Sequence, residues 1–490
     1  MERGWGGGGY RPYFDPDYDS LTERINPPSV CVDNEACDDY TLVKVDSANK
    51  HGILLEMVQV LSDLDLVISK SYISSDGGWV MDVFHVTDQF GRKLSDRSLI
   101  SYIQQSLVSR RWARSGAGPV QTCLGRVVAP REATVASPSS EHTALELTGV
   151  DRPGLLSELS AVLVEHGRHV LSAQAWTHNS RVACVLYLGE QPAGGAISDR
   201  SRLAELEQQL QHVVAAHHGP RERWGVTVRA VVPAASQVQT ERRLHQLMHE
   251  DRDFEEEEEA VTKSRAAAGK MGATVSIESC KEKGYSVVSI RSRDRPKLLF
   301  DTVCTLTDMN YVVFHATVGS HGPGAVQEYF IRRMDGHPLD SEAERRRVAR
   351  CLVAAIERRV THGMRLNVVT PNRIGLLSDV TRVFRENGLS MTAAEIGTRG
   401  ERAVGTFYVM DASGGEVDLH TVDRVRVDIG GTVAVEVDES PGWPCPRSNS
   451  EPGTGRKPGH NGEERPRFSL GSLFWSHIGR LSNNFGPTRS

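Results

Sequence analysis

Apolar residues recur every three or four positions in several stretches of the chain, which is the spacing of an amphipathic helix. The clearest stretches carry the sets Leu54, Met57, Val58 and Leu61, then Leu156, Leu159, Val162 and Leu163, then Leu377, Val380 and Phe384. Pro153 and Pro296 lie where a first helical turn is expected, a turn that tolerates proline because its N–H groups have no helical partner. With a fourth stretch after residue 297, the pattern predicts four helices of similar length.

The four predicted helices share a start, a stop and a length. Each follows an anchor position, with Asn or Asp three positions before it, Lys or Arg two before it, and two aliphatic residues directly after it; the anchors are Gly52, Gly154, Lys297 and Gly375. Each helix is expected to end at the same distance from its anchor, at Asp65, Gly167, Asn310 and Gly388, and these residue types suit a left-handed helix end. We infer an internal repeat of four copies.

Runs typical of strands flank each of these helices. One run precedes each helix, at Tyr40–Val45, Thr143–Leu147, Tyr285–Ile290 and Arg365–Val369. Two more runs joined by a turn follow, and then a second helix, at Asp96–Leu107, Asp199–Val214, Ser341–Val360 and near Leu419–Val427. The predicted fold class is α+β: four ferredoxin-like βαββαβ modules in tandem, each an antiparallel sheet with two helices on one face.

Uneven distances between the anchors predict a string of domains and not a solenoid. The expected order is a flexible N-terminal segment (1–27), modules at 28–129 and 140–232, an acidic linker (233–273), modules at 274–362 and 363–440, and a mostly disordered tail (441–490) with a short amphipathic segment. The linker carries an uninterrupted acidic run, Glu255–Glu259, and is expected to be solvated. Within it, Glu241–Met248 suits a short helix.

Composition narrows the class of protein. The 490 residues exceed one ordinary core, and 39% hydrophobic with 24% charged residues is typical of globular proteins. A net charge of −6 argues against a nucleic-acid partner. No apolar run reaches about 18 residues, and the N-terminus lacks a signal-peptide core. Eight scattered cysteines include no CxxC pair, so disulfides and zinc are not expected. We expect an intracellular protein, cytoplasmic or nuclear or both, without integral membrane contact.

The helix starts are the candidate ligand sites. First-turn N–H groups are unpaired and the helix dipole favours negative charge there, so an amino-acid carboxylate would fit. A glycine lets a ligand approach the backbone, and an Asn or Asp oxygen could accept from the ligand's ammonium. The candidate binding residues are Asn49, Gly52, Asp151, Gly154, Asn372 and Gly375. A structural role also explains them, since Asx can cap a helix and Gly can permit packing.

The third copy departs from this pattern because Lys297 stands at its anchor. Either this copy is a structural partner only, or its ammonium pairs with an anionic ligand, and we favour the first. The sequence also lacks the motifs HExxH, GxSxG, the P-loop lysine and a strand–GxGxxG–helix. We therefore expect no catalytic residue, no bound metal and no cofactor.

Longer motifs resemble a known family. DRPGLL at 151–156, DRPKLLF at 294–300 and NRIGLLSDVTRVFRENGLS at 372–390 look like ACT domains. Together with ERRLHQLM at 241–248 and SLGSLFWS at 469–476, they resemble the plant ACT-domain-repeat (ACR) proteins over almost the whole chain. The resemblance implies amino-acid sensors with no known catalytic centre.

A second functional hypothesis is a protein–protein adaptor with degenerate ligand sites. Modules of this kind leave edge strands and a sheet face open, through which copies of the chain or other proteins could pair. The tail offers a second surface, an apolar stripe at Leu470, Leu473, Phe474, Ile478 and Leu481. Thermal stabilisation by an amino acid would favour the sensor.

The spacing also predicts how the copies pack and close. The third and fourth copies have almost no linker between them and are expected to pack directly on each other. Copies one and three should fill the edge beside their first strand from the N-terminal side, with Ser29–Asp33 against Tyr40–Val45 and Thr274–Ser279 against Tyr285–Ile290. Copy two should close with a strand near Val226–Val231. Val120–Val128 is an alternative closing strand for copy one.

Overall fold

A computed structural model describes residues 29–76, 78–114, 142–190, 196–197, 199–216, 225–231, 239–255, 272–360, 363–399, 401–429 and 434–438. The helices are α1 Ile53–Asp63, α2 Arg97–Arg114, α3 Leu155–Glu165, α4 Arg200–Ala215, α5 Thr240–Glu250, α6 Leu298–Asp308, α7 Glu342–Glu357, α8 Leu376–Glu386 and α9 Leu419–Ile429. The first eight strands are β1 Ser29–Asp33, β2 Thr41–Ala48, β3 Val67–Asp76, β4 Trp79–Thr87, β5 Thr143–Val150, β6 Arg168–His178, β7 Arg181–Glu190 and β8 Thr227–Val231. The others are β9 Thr274–Cys280, β10 Tyr285–Arg293, β11 Tyr311–His321, β12 Gly324–Arg333, β13 Met364–Pro371, β14 Leu389–Arg399, β15 Arg402–Asp411 and β16 Ala434–Asp438.

The strands form two antiparallel sheets, as the α+β prediction requires. The first sheet has the order β1-β2-β4-β3-β11-β12-β10-β9 and the second the order β16-β13-β15-β14-β6-β7-β5-β8. Four segments of chain supply them, which we number by residues 29–114, 142–231, 272–360 and 363–438. Two segments share each sheet and meet at a seam, which is β3 against β11 in the first sheet and β6 against β14 in the second.

The pairing of segments corrects one prediction. We expected the third and fourth copies to pack on each other, but the third segment shares its sheet with the first, and the fourth with the second. A short connection places two segments near each other without bringing their seam strands together. The pairing is decided instead by the edges of β3, β6, β11 and β14, all of which follow the first helix of their segment.

The edge-strand predictions are confirmed. β9 pairs with β10 in the register Thr274↔Arg291 to Cys280↔Tyr285, across a turn that holds the short 3-10 helix Lys281–Lys283. β1 pairs with β2 from Ser29↔Asp46 to Asp33↔Leu42. In the second segment β8 pairs with β5, and it begins at Thr227, next to the predicted residue 226. The alternative strand, residues 120–128, lies outside the described residues.

The predicted helix starts and stops are present, but with a different geometry from a capped helix. All four anchors are left-handed, with φ of 83° at Gly52, 81° at Gly154, 62° at Lys297 and 77° at Gly375. The four predicted stops are left-handed as well. None of α1, α3, α6 and α8 has a side-chain cap. Glycine at the anchor is therefore explained first by a backbone conformation that costs other residues about 1–2 kcal/mol.

The Asx position before each anchor has a backbone role instead of a capping role. Its N–H donates to a carbonyl in the hairpin turn of the same segment, at 2.7 Å from Asn49 to Gly78 and 2.9 Å from Asp151 to Ser180. The third and fourth segments repeat this bond from Asp294 and Asn372. The loop before each helix is thus tied to the hairpin that faces the neighbouring segment.

The short helix predicted within the linker at Glu241–Met248 is present as α5, and it is packed on the fold where we expected solvated linker, whereas residues 256–271 lie outside the described residues. Within 239–255, α5 packs its buried Leu244, Leu247 and Met248 against Trp176 and neighbouring residues of the second sheet. The opposite face of that sheet packs on α3 and α8. Because α5 also contacts α6, it lies between the second sheet and the helices of the first.

Candidate functional site

At the seam of the second sheet, where β6 meets β14, the starts of α3 and α8 take equivalent positions. We call this the second seam, and the contact of β3 with β11 the first seam. Helices α3 and α8 pack against each other across the second seam. A Cβ added to Gly375 would lie 3.5 Å from Val164, near the end of α3. A Cβ added to Gly154 would lie 2.8 Å from the Cδ of Arg385, near the end of α8. Each helix start therefore faces the end of the helix from the partner segment.

A cavity lies beside each of these two starts. The one beside α8 has a volume of about 40 Å³ and includes Asn372, Gly375 and, from the second segment, Val164 and His169. The one beside α3 also measures about 40 Å³. It includes Asp151, Gly154, Arg152 and, from the fourth segment, Arg385 and Thr392. The sequence-predicted residues of the second and fourth copies thus meet at one seam, in two separate cavities.

A β-bulge repeats on every seam strand, at the same distance from each anchor. The bulged residues are Ser69, Leu171, Phe314 and Thr392. A bulge leaves a backbone group outside the strand ladder, and at Leu171, Phe314 and Thr392 the carbonyl accepts a hydroxyl from the partner segment. Thr177 donates to the carbonyl of Thr392 at 2.9 Å, and Thr398 donates to that of Leu171 at 3.0 Å.

The first seam also has such a bond, from the Ser75 hydroxyl to the Phe314 carbonyl at 3.2 Å. In the fourth segment the hydroxyl also lies beside the Asx side chain, since the Asn372 Nδ2 is 3.5 Å from the Thr398 oxygen. Sequence reasoning missed these hydroxyls. Their signal was a Ser or Thr at one fixed distance from every anchor, namely Ser75, Thr177, Ser320 and Thr398.

The polar groups of the two cavities differ in charge. Burial raises the pKa of Asp151 to about 6, although its carboxylate accepts the N–H of Arg152. The equivalent Asn372 is uncharged, and its Nδ2 lies 3.4 Å from the His169 ring. Burial lowers the pKa of His169, so the neutral ring is favoured at pH 7. The cavity of the second segment thus offers an acid, and that of the fourth an amide.

Lys297 has a structural partner at the first seam, which supports the first of our two interpretations. Its ammonium lies 2.7 Å from Glu241 of α5 and 3.9 Å from Asp65 at the end of α1. Burial opposes its charge, but Glu241 raises the pKa of Lys297, so the ammonium is retained. By contrast, a Cβ added to Gly52 would meet nothing within 4 Å. The start of α1 is therefore the more open of the two at this seam.

A buried ionic cluster surrounds α5. Asp301 is fully buried and lies 2.8 Å from both His245 and Arg359, and 2.7 Å from Arg295. Arg358 makes a two-bonded pair with Asp253, at 2.5 and 2.6 Å, in which both side chains are at most 2% exposed. Such pairs rarely add net stability over an apolar core, but they fix one arrangement of the parts they join.

No group of three or more His, Cys, Asp or Glu in the part of the chain that the structure describes could hold a metal ion. Nor does any helix within these ranges have the length and apolarity needed to cross a membrane.

Known proteins of similar sequence span nearly the whole chain. It is 48% identical to ACT domain-containing protein ACR1 of Arabidopsis thaliana over 97% of the chain and 98% of that protein. It is 49% identical to ACR3 of the same plant over 87% of the chain and 91% of that protein. The chain belongs to the ACR family of ACT domain-containing proteins.

Family models agree with this assignment. The ACR family N-terminal ACT domain matches residues 36–114, and the ACT domain matches 286–351 and 364–430. A shorter similarity, 34% identity over 82 residues, joins this ACR protein to the bifunctional uridylyltransferase/uridylyl-removing enzyme of Azospirillum brasilense. It covers 17% of the chain and 9% of that enzyme.

Proposed function

We propose that this protein is a non-catalytic amino-acid sensor built from four ACT modules, with two ligand sites at the seam between the second and fourth segments. The observation that carries the proposal is the pair of equivalent cavities, each beside the left-handed anchor of a helix and each completed by the partner segment. A ligand held there would contact both segments at once, and so could bias how they pack.

The count of four modules rests on shared geometry. The second segment has the same elements as the other three: a left-handed anchor at Gly154, a left-handed stop at Gly167, and a bulge at the common distance from the anchor. Its strand order, β8-β5-β7-β6, corresponds to the order β16-β13-β15-β14 of the fourth. We therefore include it as an ACT module beside the matched ones.

The binding chemistry follows from the contacts. The N–H groups of Leu155 and Leu376 donate to the carbonyls of Arg152 and Arg373, and the next N–H groups of α3 and α8 would hold the ligand's carboxylate. The side chain of Asp151 or Asn372 would accept from its ammonium. The remaining walls are mostly apolar, including Leu163, Val368 and Phe407 in the cavity beside α8. These two sites would therefore favour an apolar amino-acid side chain.

The two sites should not be equal in strength. An ionised Asp151 attracts an ammonium more strongly than the amide of Asn372 does, because hydrogen bonds to charged groups contribute more than those between neutral groups. Its raised pKa of about 6 still leaves it mostly ionised at pH 7. The site beside α3 is therefore expected to fill first.

The test is thermal stability with each of the twenty amino acids, followed by calorimetry with those that act. At a ligand concentration 100 times the dissociation constant, a single site should add about 2.7 kcal/mol. Asp151→Ala should weaken binding at the first site to fill. Asp294→Ala is the matched control, because Asp294 has the same backbone bond but precedes the helix start that Lys297 occupies. If no amino acid binds the wild-type chain, the adaptor hypothesis replaces the sensor.

A further inference from the structure

A buried carboxyl group lies at the centre of the first segment without a full set of hydrogen bonds. Asp82 of β4 is 0% exposed and sits between Val45 of β2 and Ile73 of β3, both core residues. Its Oδ1 accepts the backbone N–H of Ser74 at 3.3 Å. Its Oδ2 has no partner among the residues that the structure describes. A buried acceptor left in this state destabilises the fold unless something binds it.

The position of Asp82 corresponds to a wall of the proposed ligand sites. The residues at the same distance from the anchors of the second and fourth segments are Cys184 and Gly405. Cys184 lines the cavity beside α3, and Gly405 lines the cavity beside α8. Gly397, the counterpart of the Ser74 that donates to Asp82, also lines the latter. The carboxyl group therefore occupies the position that lines the cavities of the two proposed sites.

A second polar group supports the same placement. Ser47 of β2 is 0% exposed, and its Oγ has no partner within the described part of the chain. It lies on the same face of β2 as Val45, the cross-strand neighbour of Asp82. Its counterpart before the fourth anchor, Thr370, lines the cavity beside α8. The first segment thus combines an open helix start at Gly52 with two buried, unsatisfied oxygens.

We propose that the start of α1 is a third ligand position and that Asp82 selects an amino acid with a cationic side chain. This rests on the proposed binding of ligand carboxylates at the helix starts. The carboxylate would lie on the first-turn N–H groups of α1, and the ligand's side-chain ammonium or guanidinium would donate to Asp82, with Ser47 accepting a second hydrogen bond. The sites of the second and fourth segments, with Cys184 and Gly405 at this position, have no acid there.

The third segment shows the alternative to binding. Gln327 stands at the position of Asp82. Its Oε1 accepts the Tyr329 hydroxyl at 2.5 Å, while its Nε2 has no partner among the described residues. Lys297 occupies the anchor and reaches Glu241. This segment therefore has its own cation at the helix start and no acid at the position of Asp82. In the first segment burial raises the pKa of Asp82 to about 7, as expected of an acid that has no internal cation.

The experiment compares charged ligands with neutral ones of similar shape on the full chain. Calorimetry would measure L-lysine against L-norleucine, and L-arginine against L-citrulline. We expect wild-type protein to prefer the cationic member of each pair. Asp82→Asn should reduce its affinity by about tenfold or more, since a charged hydrogen bond is lost. Glu342→Gln, which neutralises an exposed acid of the third segment that lines neither cavity, is the control and should leave lysine binding unchanged.

A second measurement separates a ligand-binding acid from a structural one. In the absence of ligand and above about pH 7, where Asp82 is mostly ionised, Asp82→Asn should raise the melting temperature, because it removes a buried charge without a partner. If Asp82 instead stabilised the fold, the substitution would lower the melting temperature. The proposal is overturned if wild-type protein binds lysine no better than norleucine, or if Asp82→Asn retains lysine binding. If apolar amino acids bind, if that binding is lost in Asp151→Ala, and if lysine is not preferred, this inference alone is overturned. If no amino acid binds at all, the proposed sensor function is overturned as well.

Discussion

At the residue scale, the anchor position serves both the backbone and the proposed site. All four anchors adopt a positive φ, yet one of them is Lys297, which a purely conformational rule would not place there. Its side chain is held by an ion pair with Glu241. The glycines at the other three anchors place no side chain of their own over the helix start. The same conformation is therefore compatible with an open site or with a filled one, depending on the side chain.

Alanine substitutions at Gly52 and Gly154 should separate conformational strain from crowding. Gly52→Ala introduces a Cβ into open space, so only the positive φ of 83° acts and the cost should be about 1–2 kcal/mol. Gly154→Ala places its Cβ 2.8 Å from the Cδ of Arg385, which must move, so its cost should be larger. Urea unfolding measures both, and a larger loss in Gly52→Ala would contradict this.

At the element scale, sequence reasoning predicted the helix α5 but not its packing between the two sheets. The strand and helix positions of the four segments, and the edges filled by β1 and β9, follow from repetition and hairpin geometry, which are local. The role of α5 is not local, because its contacts lie on Trp176 in one sheet and on Asp301 beneath the other. The left-handed anchors beside the candidate sites likewise followed from the repeat, whereas the neighbouring Val164 and Arg385 depend on which segments meet.

The buried pair of Arg358 and Asp253 should be essential to the position of α5. Asp253→Asn leaves the buried charge of Arg358 without its ionic partner, with only hydrogen bonds to His245 remaining, at an expected cost of about 3–5 kcal/mol in chemical unfolding. The exposed pair of Glu342 and Arg346 is the control, and Glu342→Gln should make no measurable difference. Equal effects of the two substitutions would show that α5 does not depend on the buried pair.

The pair of Arg358 and Asp253 also predicts how the free energy of unfolding depends on pH. Burial alone would raise the pKa of Asp253, but Arg358 and His178 hold it at about 2. Because the folded-state pKa lies below the usual value of 3.8, the pair's stabilisation is present above about pH 4 and is lost as the pH falls towards 2. In this range the unfolding free energy of wild-type protein should fall more steeply than that of Asp253→Asn.

At the scale of the whole molecule, segments alternate between the two sheets along the chain. Removing the fourth segment tests this arrangement. A chain that ends at residue 362 loses the partner of β6 and α3, so amides of the second segment should exchange faster with deuterium. The first and third segments should keep their protection, since β3 and β11 remain together. If exchange became faster in the third segment and not in the second, the fourth segment would be paired with the third, its neighbour in sequence.

The alternation also affects how the protein is made. On the ribosome, the seam strand β6 is complete at His178, but its partner β14 is complete only at Arg399, far later in the chain. At about 5–20 residues per second, β6 waits roughly 10 to 45 seconds with its edge unpaired. The first and third segments can join during that time, and α5 is already synthesised and able to cover the other face of the waiting sheet. A nascent chain with a weakened α5 would therefore be more exposed to aggregation than its final stability suggests.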